Sequence, residues 1–521
     1  MKTKYLLSLL LLFCSTLAFA HDFEVDGIYY STTSPKTVEV TFRGDLSEYS
    51  DTYSDAIVIP SNIHFDGQNY TVTSIGNWAF YECSGLTNIT IPNSLTSIGN
   101  SAFAFCGNLT NIEIPNSVTS IGYEAFRECS GLTSLVIPNS VTSIGDEAFS
   151  YCSGLTHIEI PNSVTRIGYC LFSGCSGLTS LEIPGSVTHI ESGAFSYCSG
   201  LTSLEIPISV TNIGSAAFAS CSRLTNIVVH PYNPVYDSRD NCSAIIEKDT
   251  NCLISGCKNT IIPQSVTSIA DEAFYGCTEL TSITIPNAIT NIGNSAFSGC
   301  SSLTNLEIPK SVTSIGKYAF SGCTGLTSIE IPNSVTNIED YTFSHCSSLT
   351  GIVIPQSATS IGKSAFWWCT GLTSLTLPKS LTSIGDNAFC QCSSLASLEI
   401  PKSVTSIGKY AFSGCTGLTT ITSLITATKL FVPGDGAFYR VPTSTCTLYV
   451  YIGAKSTYEA TEGWNAFEDI VELPEDYVQG ISTTINNINN PAVYYNLNGV
   501  RINQPTQKGV YIVNGKKVMV K

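Results

Sequence analysis

The sequence predicts a repeat solenoid, in which short coils made from one 23-residue unit stack on each other. Two observations carry that expectation. At fourteen places a phenylalanine is followed three residues later by a cysteine, from Phe80 with Cys83 to Phe218 with Cys221 and from Phe274 with Cys277 to Phe412 with Cys415. Within each block successive phenylalanines stand 23 residues apart without a break. A unit so short cannot bury its own apolar face, so it must stack on neighbours of the same kind.

With the stretch from Cys129 to Phe149 as the pattern, each element has a local cause. Leu132, Leu135 and Ile137 give a short strand with apolar inward positions, and Pro138 ends it because proline has no N–H for a ladder. Val141 and Ile144 mark a second short extended segment. Gly145 supplies a turn, and Ala148 and Phe149 are expected on a single helical or 3₁₀ turn that closes the coil. Stacking at a strand spacing of ~4.8 Å makes about fourteen to sixteen coils a rod on the order of 70 Å long.

The pattern L-T-x-[LI]-x-I-P-x-S-V-T-x-I-G-x-x-A-F recurs across residues 71–421. Departures are local: Ile208 follows the proline, Ala270 and Glu339 stand at the turn glycine, and Cys170-Leu171 interrupts the Ala-Phe pair. These residues resemble the leucine-rich repeat family, and within it the 23-residue bacterial surface-protein branch, the BspA-like repeats. The resemblance implies a right-handed coil of short parallel strands, capped at both ends. In the general leucine-rich pattern an asparagine ladder satisfies backbone groups after the strand. Here Ser94, Ser117, Ser140 and Ser163 occupy a comparable offset, and their hydroxyls are expected to bond local backbone.

Twenty-one cysteines in an exported chain would suggest disulfides, yet fourteen of them share one repeat position. Stacked one strand spacing apart, their Cβ atoms sit near ~4.8 Å, beyond the ~3.8 Å typical of a bridge. They read as a column of buried thiols acting as small apolar residues. Cys242, Cys252 and Cys257 cluster in one insertion, where a local disulfide stays open and the C-x9-C-x4-C spacing matches no familiar metal site. No metal or cofactor is expected.

The remaining boundaries follow from composition. Residues 1–20 read as a signal peptide: Lys2 and Lys4, then an apolar core from Leu6 to Leu12, then Ala18-Phe19-Ala20 ahead of His21. A lipid-modified Cys14 is the alternative, opposed by the large Phe13 before it. No other stretch approaches the ~20 apolar residues needed to span a bilayer. Residues 21–70 read as an N-terminal β cap and 71–425 as the repeats, with a longer hairpin-bearing repeat at 226–262. In that repeat Ala244 to Glu247 and Cys252 to Ser255 are the expected strands, joined at Lys248 to Asn251, and N-P-x-Y-x-S before them resembles the longer repeat of many family members.

Residues 426–474 form the C-terminal cap, with Thr447 to Val450 as a last strand and a short amphipathic helix within Tyr458 to Phe467. Caps shield the ends of the apolar core and block end-to-end association, so a monomer is expected. Residues 475–491 read as a linker, and 492–521 as a short basic tail of three strands with Asn-Gly turns. Its K-G-x-Y-x-V ending resembles the C-terminal sorting signals of Bacteroidetes type IX secretion substrates; a plain hairpin appendage is the alternative.

Charge and motifs narrow the function. The net charge is −16, and removing the first twenty residues leaves −18, which argues against nucleic acid and against anionic lipid. The six histidines show no paired spacing, and no H-E-x-x-H, G-x-S-x-G or phosphate-loop pattern occurs. Glu113, Glu159, Glu182, Glu205, Glu307, Glu330 and Glu399 share one outward strand position and read as a solvated stripe, without the enclosure that separates two carboxyl pKa values for catalysis. A non-enzymatic protein is expected.

The units disagree chiefly beside the Ala-Phe step, where aromatics collect. The candidate ligand-binding residues are Trp367, Trp368, Tyr341, His345, Tyr318, Tyr410, Tyr151 and Tyr197. Aromatics dominate the energetic centres of interfaces, and a row of them makes a multivalent face. Trp367-Trp368 is the strongest pair, because two adjacent large rings cannot both point inward on one short turn. The family resemblance implies adhesion to host extracellular-matrix proteins or to other cells. A secreted glycan-binding protein for nutrient capture is the alternative.

Overall fold

The computed structural model describes residues 21–43 and 53–474, and backbone strands within 494–520. The signal-peptide and linker expectations lie outside the described residues. Two compact units, residues 1–303 and 304–521, are each built of solenoid coils. The coils number about 17 over both units, more than expected, because flanking strands also stack in register. Asp55–Val58 pairs parallel with Leu86–Thr90 before the regular repeats, and Thr447–Val450 and Asp469–Glu472 add parallel strands after them.

Within unit 1 most coils contribute two short parallel strands, while the stretches 178–183 and 280–285 run without ladder pairing. Ser134–Val136 pairs with His157–Glu159, and the second strands run Ser97–Ile98, Ser120–Ile121, Ser143–Ile144, each pairing exactly one repeat on, as in Ser120 with Ser143. Unit 2 repeats the scheme, with Asn305–Glu307, Ser328–Glu330, Gly351–Val353 and Ser374–Thr376 in one sheet. Leu132, Leu135, Ile137 and Val141 are buried as their spacing requires. The phenylalanines stack as a column of parallel rings, with centroids 5.0 Å apart for Phe80 and Phe103 and 5.5 Å for Phe126 and Phe149. In unit 2 Phe343 and Phe366 keep 5.5 Å. Offset stacks of this kind add to the area that each ring buries.

Ala-Phe segments close the coil differently from a helix. Bonds from the Tyr81 N–H to the Trp78 carbonyl and from the Cys83 N–H to the Phe80 carbonyl are the three-residue type expected. They do not run into a helix, because the residues two before and two after each phenylalanine take positive φ. Glu124 (52°) and Glu128 (57°) flank Phe126; Tyr341 (58°) and His345 (60°) flank Phe343. This alternation turns every second N–H along the stacking direction. Glu124, Phe126 and Glu128 donate to the Asp146, Ala148 and Ser150 carbonyls of the next coil. Thus a third ladder joins the coils where no strand exists.

Side chains add further cross-coil bonds. Thr96 donates both its N–H (2.8 Å) and its hydroxyl (3.1 Å) to the Thr73 carbonyl, and Thr382 does the same to Thr359 at 2.8 and 2.9 Å. The serine hydroxyls also bond across coils rather than locally, as Ser186 to the Val164 carbonyl and Ser357 to the Val335 carbonyl, both 2.7 Å. Ser117, Ser140, Ser209 and Ser403 are exceptions, with buried hydroxyls that have no partner among the described residues. Threonine, which reads in sequence as solvent filler, therefore does much of what the asparagine ladder does elsewhere.

Gly145 is needed for close approach rather than for φ. A Cβ there would lie 2.3 Å from the Tyr123 backbone nitrogen of the preceding coil. None of the twenty cysteines among the described residues is joined in a disulfide, Cys242, Cys252 and Cys257 included. Column thiols reach the preceding coil, as Cys129 donates to the Phe103 carbonyl at 3.0 Å and Cys346 to the Phe320 carbonyl at 3.2 Å. Burial pushes the Cys152 and Cys198 thiols up to about 12, so thiolate is scarce at neutral pH.

The ends of the core are sealed by aromatics from non-repeating strands. Tyr53 lies 4.7 Å from Phe80, its hydroxyl donating to the Thr41 carbonyl at 2.6 Å. In unit 2 Phe438 continues the column 5.9 Å from Phe412, and Trp464 closes it at 5.0 Å with its indole N–H on the Phe431 carbonyl. The helix is Lys455–Ala460, starting three residues before the expected stretch and ending at the extended Thr461; beyond it Gly463 at φ +83° turns the chain toward Trp464. Ala244–Glu247 and Cys252–Gly256 form the antiparallel hairpin of the long repeat. The tail pairs four strands, not three, in the order Arg501–Ile502, Tyr494–Tyr495, Gly509–Val513, Lys516–Val520.

Three outcomes test this architecture. Gly145→Ala should lower stability by about 1–3 kcal/mol through forced backbone movement, whereas Gly185→Ala, whose added Cβ meets nothing within 4 Å, should be near neutral in thermal unfolding. At Trp368, with φ 60°, the Gly variant should be more stable than the Ala variant by about 1 kcal/mol, the reverse of the order in a helix or strand. Alkylation at pH 8 should leave the column thiols of the native protein unlabelled, mass spectrometry finding them modified only after denaturation.

Candidate binding surface

The closing turns place the eight candidate residues on two rows. Tyr318, Tyr341 and Tyr410 stand two residues before their phenylalanines; Tyr151, Tyr197, His345 and Trp368 stand two residues after theirs. Every one of these seven has φ between 53° and 60°. Their side chains leave the coil outward: Tyr318, His345, Trp368, Tyr410, Tyr151 and Tyr197 are exposed, and Tyr341 is half-buried. Trp367 follows its phenylalanine directly and is half-buried, so the adjacent indoles diverge as expected, with an interplanar angle of 84°.

Unit 2 holds six of the eight, five of them in contacting groups. Tyr318 stacks on Tyr341 with ring centroids 4.5 Å apart and planes within 6°. Beside Tyr318, Lys317 bonds Asp340 at 3.0 Å. His345 meets Trp367 edge-on at 4.7 Å and lies nearly parallel to Trp368 at 6.3 Å. Their backbones are pinned by the closing ladder, the His345 N–H donating to the Trp367 carbonyl at 2.7 Å and the Trp368 N–H to the Cys390 carbonyl at 2.9 Å. Tyr410 stands apart from both groups, its ring lying over Gly436, where a Cβ would come within 2.4 Å.

In unit 1 the two candidates are already engaged. Tyr151 lies 5.9 Å beneath the Arg127 guanidinium, which also pairs with Glu124 at 2.5 Å and Glu147 at 2.8 Å. Burial lowers the pKa of that guanidinium, but the Glu124 bond and the surrounding carboxylates more than offset it. Tyr197 bonds Tyr275, which raises its hydroxyl pKa. These contacts fix the rings as parts of local clusters.

The sequence missed one member of the surface. Tyr439 and Arg440 repeat the Trp367-Trp368 placement after Phe438, with Arg440 at φ 61° and its guanidinium 5.5 Å over the Tyr439 ring. The Phe-Cys signal fails there because Val441 stands at the cysteine position, although Ala437-Phe438 preserves the rest. Among the described residues no group of His, Cys, Asp and Glu is placed to hold a metal ion, and no helix is long and apolar enough to cross a membrane. The seven repeat-position glutamates are exposed on the strand face. The surface is thus one of flat rings and scattered cations, suited to stacking and apolar contact.

Non-glycine residues at positive φ cost about 1–2 kcal/mol each relative to the right-handed regions. Glycine takes that cost away at the equivalent Gly174, Gly276, Gly322 and Gly414. Where an aromatic stands instead, the backbone carries strain that glycine would relieve.

The repeat pattern is shared with known proteins. The family model described as the BspA type leucine-rich repeat region, in six copies, matches residues 60–176, 142–239, 246–371 and 336–452. A leucine-rich cell surface protein of Faecalibacterium prausnitzii is 30% identical, with 77% of this chain and 94% of that one covered and a TM-score of 0.53. A leucine-rich repeat protein of Bacteroides ovatus is 28% identical over the same shares, with a TM-score of 0.42. No curated protein matches the chain. With its repeats matched over most of their length, the chain belongs to the BspA type leucine-rich repeat family.

Proposed function

We propose that the chain is an exported, non-enzymatic interaction protein that binds proteins of the host matrix or of other cell surfaces through the aromatic turns of unit 2. One observation supports this above the others: Tyr318, Tyr341, His345 and Trp368 are held outward at positive φ, a conformation that favours glycine. Rings kept at such positions are pre-ordered, so little side-chain freedom is lost on binding. Family membership and the described cell-surface relative accord with display outside the cell. Residues 1–20 would serve export and the basic tail would serve sorting, with the protein acting as a monomer.

Binding of the purified chain to immobilised matrix proteins and to polysaccharides tests the proposal. The chain is expected to bind a matrix protein, and Trp367→Ala with Trp368→Ala to weaken that binding more than tenfold, the effect of losing about 2 kcal/mol at an interface centre. Tyr318→Ala with Tyr341→Ala should weaken it further. Binding to polysaccharide alone would move the assignment to glycan capture, where exposed rings stack on sugars. Binding to neither would remove both readings.

A further inference from the structure

The long repeat does more than interrupt the column. In the seven other unit 1 coils from Phe80 to Phe274, three N–H groups of the closing turn donate to the next coil. At Phe218 only the last survives, from Ser220 to the Tyr275 carbonyl at 2.7 Å. The hairpin takes a second rung for itself, since Gly256 donates to the Ala273 carbonyl at 2.9 Å. Gly256 fits there because it lacks a Cβ, which would lie 2.2 Å from the Phe274 ring. Among the described residues the Ala216 and Phe218 N–H groups have no hydrogen-bond acceptor.

At this opening lies a cavity of about 280 Å³. Its floor is apolar, from Ala217, Phe218 and Ile254, and Ala216 lines it beside them. The opposite wall carries Asp271 and Glu272; Glu272 reaches across to accept from the Ser215 hydroxyl at 2.6 Å. The site therefore combines two unpaired backbone donors, an apolar floor and two carboxylates. A ligand matching all three presents a carbonyl acceptor, an aliphatic stem and a cationic head.

We propose that this cavity receives a lysine- or arginine-bearing peptide segment of a partner protein. A backbone carbonyl of that segment accepts from the Ala216 or Phe218 N–H, the methylene stem packs on Phe218 and Ile254, and the cationic head reaches Asp271 and Glu272. The cavity holds one long side chain with its peptide group and is below the usual size of a drug-binding pocket. It lies wholly within unit 1 and does not depend on the aromatic surface of unit 2, so the two proposals stand or fall separately.

The test uses the full chain with the tripeptide acetyl-Ala-Lys-Ala-amide, its norleucine counterpart, which keeps the stem and removes the charge, and its glutamate counterpart, which reverses the charge on a shorter stem. Titration followed by saturation-transfer NMR should show the lysine peptide binding in the range of about 1 mM, and the norleucine peptide roughly tenfold more weakly. Hydrogen exchange should slow across 213–219 only with the lysine peptide. Glu272→Gln, which keeps an acceptor for Ser215, and Asp271→Asn should each reduce lysine binding toward the norleucine level. Equal binding of the lysine and norleucine peptides, no slowing across 213–219, or no binding of the lysine peptide would overturn the proposal.

Discussion

Hydrogen bonding between successive coils is the constraint on which everything else here depends. A 23-residue coil has almost no interior of its own, so its backbone groups and its apolar side chains must all be satisfied by the coils before and after it. Two of the three edges meet this demand with short parallel strands. The third has no strand, and meets it by alternating right- and left-handed residues so that N–H groups such as those of Glu124, Phe126 and Glu128 face the next coil. Threonine hydroxyls and column thiols add donors to carbonyls of the coil before, as with Thr96 on Thr73 and Cys129 on Phe103.

That third edge links scaffold to surface. Positive φ recurs at these positions whether the residue is Gly174 or Trp368, and where a ring such as Trp368 or Tyr151 stands there it is exposed. Fixed backbone and free side-chain identity therefore coincide on one edge. The same alternation explains why rings two residues to either side of a buried phenylalanine can be solvent-facing while that phenylalanine is fully covered. It also explains the cavity beside Phe218: once the hairpin displaces the following coil, donors that were built to face a neighbour are left facing space.

Much of the fold was legible in the sequence because a repeat displays its own constraints. Proline after the strand, phenylalanine at every 23rd residue and cysteine three residues on each had one physical explanation, and coordinates place Pro138, Phe149 and Cys152 accordingly. Other features were visible as pattern but misread in mechanism. Gly145 reads as a turn residue and is instead a close-packing one; Ser163, Ser186 and Ser357 read as local caps and bond across coils; threonine reads as solvent filler and forms ladders. Single-repeat reasoning misses these because the partner lies about 23 residues away. Tyr439 and Arg440 went unread because Val441 breaks the marker that identified the other turns.

By itself the sequence determined the period and the identity of the buried column, since each follows from which residue types can share a stacked position, and it marked most of the aromatics beside that column. Tertiary structure alone decided how those aromatics are presented. Tyr318 with Tyr341, and His345 with Trp367 and Trp368, form contacting groups in unit 2, whereas Tyr151 is already held by Arg127 in unit 1. Spacing in the chain cannot distinguish these cases. The difference rests on left-handed backbone geometry and on what the neighbouring coil offers each ring, and both exist only once the coils are stacked.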